Sequence, residues 1–134
     1  MATEDYISFE TAKLLKEKGF NWECECYYFF NNEVQFEESL AHWDWNNGYT
    51  YRYSAPTIQM AMKWLREAYK IHINLDIHWL HFANTLGWMY IITKIVENGV
   101  EYVDAKGDED DKHFYSTYEE AAEAAIKYCL ENLI

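Results

Sequence analysis

The sequence predicts an α+β fold: a single compact domain, residues 1–134, in which a mostly antiparallel sheet of about five to seven strands packs with three helices. Segments with helical spacing of apolar residues carry capping residues, and the segments between them alternate like strands or contain tight-turn residues. Half of the residues are apolar and 19% are aromatic. Because aromatic side chains bury ~150–250 Å² each, a chain of this length can form a sizeable core.

Helical signals begin after Ser8. The run 9–18 has this serine before it, a glutamate in its first turn and Gly19 after it, which are typical start and stop signals of a helix. Ile7 and Phe20 flank the run, and we expect them to pack against the two helix ends. The apolar residues that share one face are Phe9, Ala12 and Leu15.

Two strands are predicted next. The segment Cys24–Phe30 is rich in β-forming residues. Asn31 and Asn32 suit a tight turn, after which Glu33–Phe36 returns as the partner strand.

The segment 43–53 alternates aromatic and polar residues, which favours a hairpin, with an irregular loop as the alternative. A two-residue turn at 47–48 would set its tryptophans and tyrosines on opposite faces. A three-residue turn at 46–48 would set Trp45 opposite Tyr49. We favour the second turn because it gathers the rings on one buried face.

The segment Ser54–Thr57 is predicted to open a second helix, because proline is tolerated in the first helical turn. Trp64 lies at the edge of its apolar stripe, and Arg66 faces water. The stripe itself consists of Ile58, Ala61, Met62, Leu65, Ala68 and Tyr69.

Strict alternation predicts that Ile71–Trp79 is a strand with one apolar and one polar face. Trp88–Val96 is apolar on both faces, which favours a central strand covered on two sides. Asn98–Gly99 is the strongest hairpin signal in the chain, so Val100–Val103 is expected to pair back. The acidic segment 104–112 is predicted to be an exposed loop.

The last helix is predicted after residues 116–119, whose Ser-Thr-Tyr-Glu order has the spacing of a capping box. Its alanines would let it lie close to a sheet. Glu123 and Lys127 are one turn apart, so we expect an exposed ion pair between them. The predicted inner face consists of Ala121, Ala122, Ala125, Ile126, Cys129 and Leu133.

The charge argues against a nucleic-acid-binding protein. The chain has 23 acidic residues against 11 lysines and arginines, a formal net charge of −12, whereas duplex binding depends on basic residues that neutralise phosphates. The first residues are acidic where a signal peptide is basic, and no apolar run is long enough to span a membrane. We therefore expect a cytoplasmic protein without a membrane or nucleic-acid partner. Three cysteines favour free thiols over a disulfide framework.

Several segments, taken in order, resemble one group of proteins. They are Ile7–Lys13, Lys18–Phe20, Ser54–Thr57, Met62–Glu67, His72–Ile73 and Tyr118–Ala121. The group consists of small proteins encoded by gut Bacteroidetes and their phages or prophages. The similarity spans nearly the whole chain, and its most specific part runs from Ser54 to Glu67. The resemblance implies an intracellular, phage-derived origin; because the group has no assigned function, it implies no catalytic residue.

A row of polar residues is a candidate metal site. His72, Asp76 and His78 share one strand face and His81 follows, and histidine with carboxylate can hold zinc. Structural zinc usually takes four ligands in recognisable spacing, so a solvated polar face is the better interpretation.

Two further clusters also receive the plainer interpretation. Cys24 and Cys26 point the same way but lie beside acidic residues that oppose thiolate formation, so we expect buried or incidental thiols. Asp108–Asp111 lacks the alternating oxygen ligands of a calcium loop and is expected to be a solvated turn. With no phosphate-binding loop and no nucleophile elbow, we predict no catalytic residue, no metal and no cofactor.

The aromatic segment supplies most of the binding candidates. Tryptophan, tyrosine and arginine are enriched among the residues that anchor protein interfaces, and rings can also stack a planar ligand. The candidates for either role are Trp43, Trp45, Tyr49, Tyr51, Arg52, Tyr53, Trp64 and Arg66. The competing interpretation, which base rates favour, is that these rings fill the core of a small protein.

These observations favour a non-enzymatic interaction protein of phage or mobile-element origin that binds a host or phage protein. In a sharper form of this hypothesis it is a counter-defence inhibitor whose acidic face mimics nucleic acid. The first alternative is a protein that sequesters a nucleotide-like ligand, with rings on the base and Arg52, Lys63 or Arg66 at phosphate. The second is an enzyme. A homodimer through exposed rings or an unpaired sheet edge is a further expectation.

Overall fold

Three helices and six strands follow one another without regular order in the computed structural model, which describes residues 5–106 and 114–134. The α+β class and the number of helices are confirmed, and the strand count falls within the predicted range. Every pair of the described strands is antiparallel. The elements are α1 (Phe9–Glu17), β1 (Cys24–Phe30), β2 (Val34–Trp43), β3 (Arg52–Ser54), α2 (Ile58–Tyr69), β4 (Ile71–Leu80), β5 (Thr85–Val96), β6 (Gly99–Lys106) and α3 (Tyr118–Asn132).

The strands form two separate sheets rather than the single sheet that we predicted. Sheet one has the order β2-β1-β3, and sheet two has the order β4-β5-β6. β3 has only three residues and runs into Pro56, which has no N–H to continue a ladder. Sheet two is a meander in which consecutive strands pair, and none of the described strands pairs across the two sheets. Alternation along a strand does not reveal this choice of partners.

Side-chain caps start the three described helices. Ser8 Oγ accepts a hydrogen bond from the N–H of Thr11 at 3.3 Å, as predicted for α1. Thr57 caps α2 in the same way, so Pro56 lies before this helix and not in its first turn, where we predicted it. The cap of α3 is Thr117, whose Oγ1 accepts from the N–H of Glu120 at 3.1 Å. This helix therefore begins one residue later than the predicted capping box implies.

One hydrophobic core joins the three helices to both sheets. The helices α2 and α3 pack on one face of sheet two, where the buried residues are Ile71, Ile73, Tyr90 and Ile92. The alanines of α3 are buried as predicted, and Leu130 rather than Leu133 completes its inner face.

The inner face of α2 differs from the prediction at two positions. Trp64, predicted at the edge, is only 4% exposed. Its ring meets Phe20 and Tyr69 edge-on, at centroid distances of 5.3 and 5.2 Å. Ala68, predicted to be buried, is exposed. A large ring reaches the core from an angle at which a methyl group does not, so size as well as position decides burial.

The prediction that β5 is covered on two sides is wrong. β5 is the central strand of sheet two, but the described helices cover one face only, and Met89 and Ile91 on the other face are half-buried. A strand with apolar residues on both faces is thus compatible with one covered face when the second face remains partly open to water.

The β5–β6 turn lies one position before the predicted one. Val96 pairs with Gly99, so the turn residues are 97–98. β6 then continues to Lys106, and residues 104–106, predicted to be loop, belong to a strand. The rest of the predicted loop, including the acidic run 108–111, lies outside the described residues.

In sheet one, β1 lies between β2 and β3, and this arrangement replaces the hairpin that we predicted for residues 43–53. Trp43 ends β2 opposite Cys24, and β3 pairs with the other edge of β1. The ends of the segment therefore pair with β1 instead of with each other, and residues 44–51 form an irregular loop. We predicted that the two ends of the segment pair with each other, whereas each of them pairs with a different edge of β1.

β2 is longer and less regular than predicted. Phe30 pairs with Val34, so the β1–β2 turn comprises residues 31–33 rather than two asparagines. Residues 39–42 bulge out of the ladder, because the register jumps between the partners of Cys26 and Cys24.

Candidate interaction surface

The aromatic loop, residues 44–51, folds over the outer face of β1, while Phe9 of α1 packs on the opposite face. Trp45 anchors this loop. Its side chain is 7% exposed, its ring lies 4.5 Å from that of Tyr27, and its Nε1–H donates to the carbonyl oxygen of Cys24 at 2.8 Å. A buried indole whose polar atom is satisfied fixes the start of the loop.

Asn46 ties the aromatic loop to two distant parts of the chain. Its backbone N–H donates to Asp44 Oδ1 at 3.2 Å, a local turn typical of aspartate. Its Nδ2 donates to the carbonyl oxygen of Phe20 at 3.0 Å, and its Oδ1 accepts from the N–H of Ser54 at 2.9 Å. Gly48 has a φ of +84°, which glycine adopts without strain. The loop is irregular, but its backbone is held.

Lys16 of α1 fixes the end of the loop. Its Nζ donates to the carbonyl oxygens of Tyr49 and Arg52 at 2.6 and 2.8 Å. It also lies 4.6 Å from the ring centre of Tyr53. Burial lowers the pKa of Lys16, because desolvation disfavours the ammonium form. This one side chain therefore positions both Tyr49 and Arg52.

Arg52 stacks on three rings, and these four residues form the Arg52 cluster. The guanidinium carbon lies 4.4 Å from the ring centre of Tyr49, 5.1 Å from that of Tyr27 and 5.5 Å from that of Trp45. All three distances fall within the ~6 Å range of cation–π attraction. Among the described residues, no carboxylate pairs with the guanidinium and no acceptor takes a hydrogen bond from it. Within the part of the chain that the structure describes, its N–H donors therefore remain available to another molecule.

The remaining predicted residues do not join the Arg52 cluster. Tyr53 lies on the opposite face of sheet one, packed against α1. Trp43 is 51% exposed but stands at the far end of β2, and Tyr51 is 53% exposed beside Arg52 in sequence. Trp64 belongs to the core. Arg66 is exposed on α2.

Tyr27 and Lys16 belong to the site, although the sequence did not single them out. Alternation on β1 places Tyr27 on the face opposite Tyr28, which was a usable signal, but nothing local shows that the aromatic loop covers that face. Lys16 looks like an ordinary basic residue near a helix end. Its role depends on a contact with a segment that is distant in the chain.

A cavity of about 560 Å³ lies between the first turns of α1 and α3. The charged residues that line it are mostly acidic, and Lys127 is the basic residue among them. The acidic residues around it are Asp5, Glu10, Glu119, Glu120 and Glu123. Phosphate groups are repelled by such a wall.

The predicted ion pair between Glu123 and Lys127 is wrong. The Nζ of Lys127 binds Glu10 Oε2 of α1 at 2.9 Å, and this hydrogen bond lowers the pKa of Glu10. Glu123 Oε1 instead accepts from the N–H of Ser8 and from Thr11 Oγ1, at 2.9 and 2.6 Å. Both α3 side chains reach across to α1, because neighbouring helices offer partners that one helix alone does not.

Burial keeps the cysteine thiols protonated. Cys24 and Cys129 are 1% and 0% exposed, and burial raises the pKa of each to about 12. Burial also raises the pKa of Cys26. Redox or metal chemistry at these positions would need the thiolate, which burial disfavours.

His72, Asp76 and His78 line one face of β4, and within residues 5–106 and 114–134 no group of potential ligands is arranged to hold a metal ion. Asn74 Nδ2 donates to Asp76 Oδ1 at 3.0 Å. These side chains share the polar face of β4.

No protein-family model matches the chain, and neither a curated protein nor a solved structure gives a match. None of the described helices combines the length and the apolar character needed to cross a membrane. The chain is thus defined by its structure: an α+β protein with two antiparallel sheets and an arginine held among rings on the outer face of sheet one.

Proposed function

We propose that this chain is a non-enzymatic interaction protein of phage or mobile-element origin that binds a host or phage protein through the Arg52 cluster and the exposed Tyr51. The observation that carries the proposal is a guanidinium stacked on three rings, with no acceptor for its donors among the described residues. Tryptophan, tyrosine and arginine supply most anchors of protein interfaces. The proposed origin is supported only by the sequence resemblance.

The Arg52 cluster is positioned before any partner arrives. Trp45 is locked to the carbonyl of Cys24, and Lys16 holds the carbonyls of Tyr49 and Arg52. A side chain that is already ordered loses less conformational entropy on binding than a mobile one. Preorganisation therefore supports recognition by this surface.

The chemistry of the cluster indicates what the partner presents. The planar fork of Arg52 suits a carboxylate or a pair of backbone carbonyls. Tyr49 and Tyr51, 38% and 53% exposed, offer apolar area beside it. The net charge of −12 favours a partner that is positively charged overall. We therefore infer a basic protein with an acidic or carbonyl-rich spot inside its contact surface.

This charge requirement supports the counter-defence form of the proposal. Proteins that act on nucleic acid carry basic surfaces, and an acidic protein can occupy such a surface. The nucleotide-binding alternative has less support, because the guanidinium already lies over the available ring faces and the acidic cavity repels phosphate.

The test is capture of a partner by matched surface variants. We expect Arg52→Gln and Tyr51→Ser to weaken capture of a stoichiometric partner from a Bacteroidetes host lysate by at least about tenfold, the typical effect of losing an interface anchor. Circular dichroism checks that both variants fold. The control is Tyr102→Ser, a tyrosine on sheet two that is 69% exposed. Equal capture by all three variants would contradict the proposed surface.

A nucleotide screen separates the proposal from its first alternative. We expect no nucleotide to raise the melting temperature of the protein. A ligand at ~100 times its dissociation constant would stabilise the fold by ~2.7 kcal/mol, so binding would be plain. A rise that is abolished by Arg52→Gln would replace protein binding with nucleotide sequestration.

A further inference from the structure

β4 is an edge strand of sheet two, and its outer backbone groups have no partner among the described residues. The N–H of Ile95 donates to the carbonyl oxygen of Lys70 at 2.7 Å, which fixes the phase of the β4–β5 ladder. Because antiparallel ladders alternate, the backbone N–H and C=O groups of odd-numbered β4 residues point away from β5. These residues are Ile71, Ile73, Leu75, Ile77 and Trp79.

The other long edges carry features that hinder pairing with another strand. β2 contains Glu37 and Glu38 and bulges at residues 39–42. β6 contains Glu101 and has an irregular register with β5. β4 has ten residues, no proline, a continuous register and one charged residue, Asp76. Natural sheets usually protect such an edge, so a regular edge with a single charged residue indicates a strand partner.

The second half of β4 and the start of β5 opposite it also expose apolar side chains. Ile77, Trp79 and Leu86 are 49%, 50% and 50% exposed, and Leu86 lies opposite Trp79 in the ladder. No Asp, Glu, Lys or Arg occurs between Ile77 and Thr93, although the chain carries a net charge of −12. Two copies would repel each other over most of their surfaces, and this uncharged region is where they can approach.

We propose that two copies of this chain pair along β4 about a twofold axis at Ile77, which joins their second sheets into one continuous antiparallel sheet. Only registers that match odd-numbered with odd-numbered residues connect the outward backbone groups. An axis at Ile77 sets Leu75 opposite Trp79 of the second copy, so the exposed apolar rows meet. A twofold interface needs only one self-complementary surface, which this edge supplies.

Charge selects this register over its neighbour. With the axis at Ile77, Asp76 lies opposite His78 of the second copy, twice over. An axis at Asp76 would place two carboxylates directly opposite each other, which destabilises a strand pair.

Sedimentation tests whether the dimer exists. We expect the wild type to sediment reversibly at twice the 16.1 kDa mass of the chain. Ile77→Pro removes an outward N–H without breaking a bond to β5, and Ile77→Lys adds a charge at the axis, so both should weaken dimerisation by at least about tenfold. The control is Val100→Lys on β6, where the wild-type side chain is 65% exposed; it should leave the dimer intact.

Cross-linking tests the register. At a hydrogen-bonded antiparallel pair the two Cα atoms lie ~5.5 Å apart, within the ~4.4–6.8 Å that a disulfide spans. Ile77→Cys should therefore form a covalent dimer on oxidation, whereas Leu75→Cys should not. The natural cysteines are buried and do not compete.

A charge exchange provides the rescue. His78→Asp should weaken the dimer, because Asp76 would then face a carboxylate, and adding Asp76→His should restore it. A wild type that sediments as a monomer at every attainable concentration would overturn the proposal. So would a dimer that withstands both Ile77 variants but dissociates in Val100→Lys. The surface is separate from the Arg52 cluster, so loss of partner capture leaves this proposal unaffected.

Discussion

The two halves of the β4–β5 ladder have the same alternating pattern but opposite environments. In the first half, Ile73 pairs with Ile92, and the two side chains are 7% and 0% exposed. In the second half, Trp79 pairs with Leu86, and both are 50% exposed. All four side chains share one face of the sheet, so alternation alone does not set their burial.

The two halves differ because the helices cover only the first half of the ladder. The first residue of α3, Tyr118, meets the ring of Trp88 edge-on at 5.5 Å. Trp88 is also bridged to Tyr115 by two backbone hydrogen bonds of 2.8 Å. Beyond this boundary none of the described helices packs on the ladder. A strand pattern therefore shows which residues face the same way, and the neighbouring elements decide whether that face is dry.

The largest expected effect contrasts one deletion in each half. Ile92→Ala should lower the free energy of unfolding by about 2–4 kcal/mol, because it leaves a cavity under the helices. Leu86→Ala should cost less than about 1 kcal/mol, because its side chain is half in water. Urea unfolding at dilute protein concentration measures both. Equal losses would mean that the second half is also covered in solution.

The second effect is a loss of stability at alkaline pH that originates in the covered half. Burial raises the pKa of Cys129 on α3 to about 12 from its ordinary value of 9.0. Above pH 9 the unfolded chain therefore loses this proton first, and stability falls as pH rises toward the folded pKa. The slope for one thiol is about 1.4 kcal/mol per pH unit.

We expect Cys129→Ala to remove that share of the slope when unfolding is measured by urea between pH 8 and 10.5. The two proteins should keep a constant difference in stability below pH 8, where the thiol is protonated in both the folded and the unfolded chain. An unchanged slope in the variant would show that the thiol is hydrated in the folded chain.

The smallest expected effect tests the contact that marks the boundary between the two halves of the ladder. Tyr118→Leu removes the ring that meets Trp88 and the hydroxyl that accepts from Gln59 Nε2 at 2.8 Å. The loss should be about 1 kcal/mol, the scale of one aromatic pair. Tryptophan fluorescence should shift to longer wavelength as Trp88 gains water. Tyr102→Leu, on the open part of sheet two, should change neither quantity.

The Arg52 cluster shows the same limit of sequence patterns as the β4–β5 ladder. The sequence named Trp45, Tyr49 and Arg52 as neighbours in one candidate surface, and the structure places them in contact. It did so through a hairpin that does not form, and it missed Tyr27. The error has a physical cause: aromatic alternation marks residues that prefer a partly buried strand surface, but it carries no information about the partner strand.

The sequence by itself determined much of the local structure: the cap at Ser8, most of the buried faces of α1 and α3, and the strand character of β1, β4 and β5. These features depend on hydrogen bonds and side-chain periodicities that span a few residues. Only the tertiary structure decided that the strands form two sheets, that Lys16 positions Arg52, and that the helices leave half of a ladder uncovered. Such contacts join segments far apart in the chain, and the competition among all segments for the same edges and faces selects them.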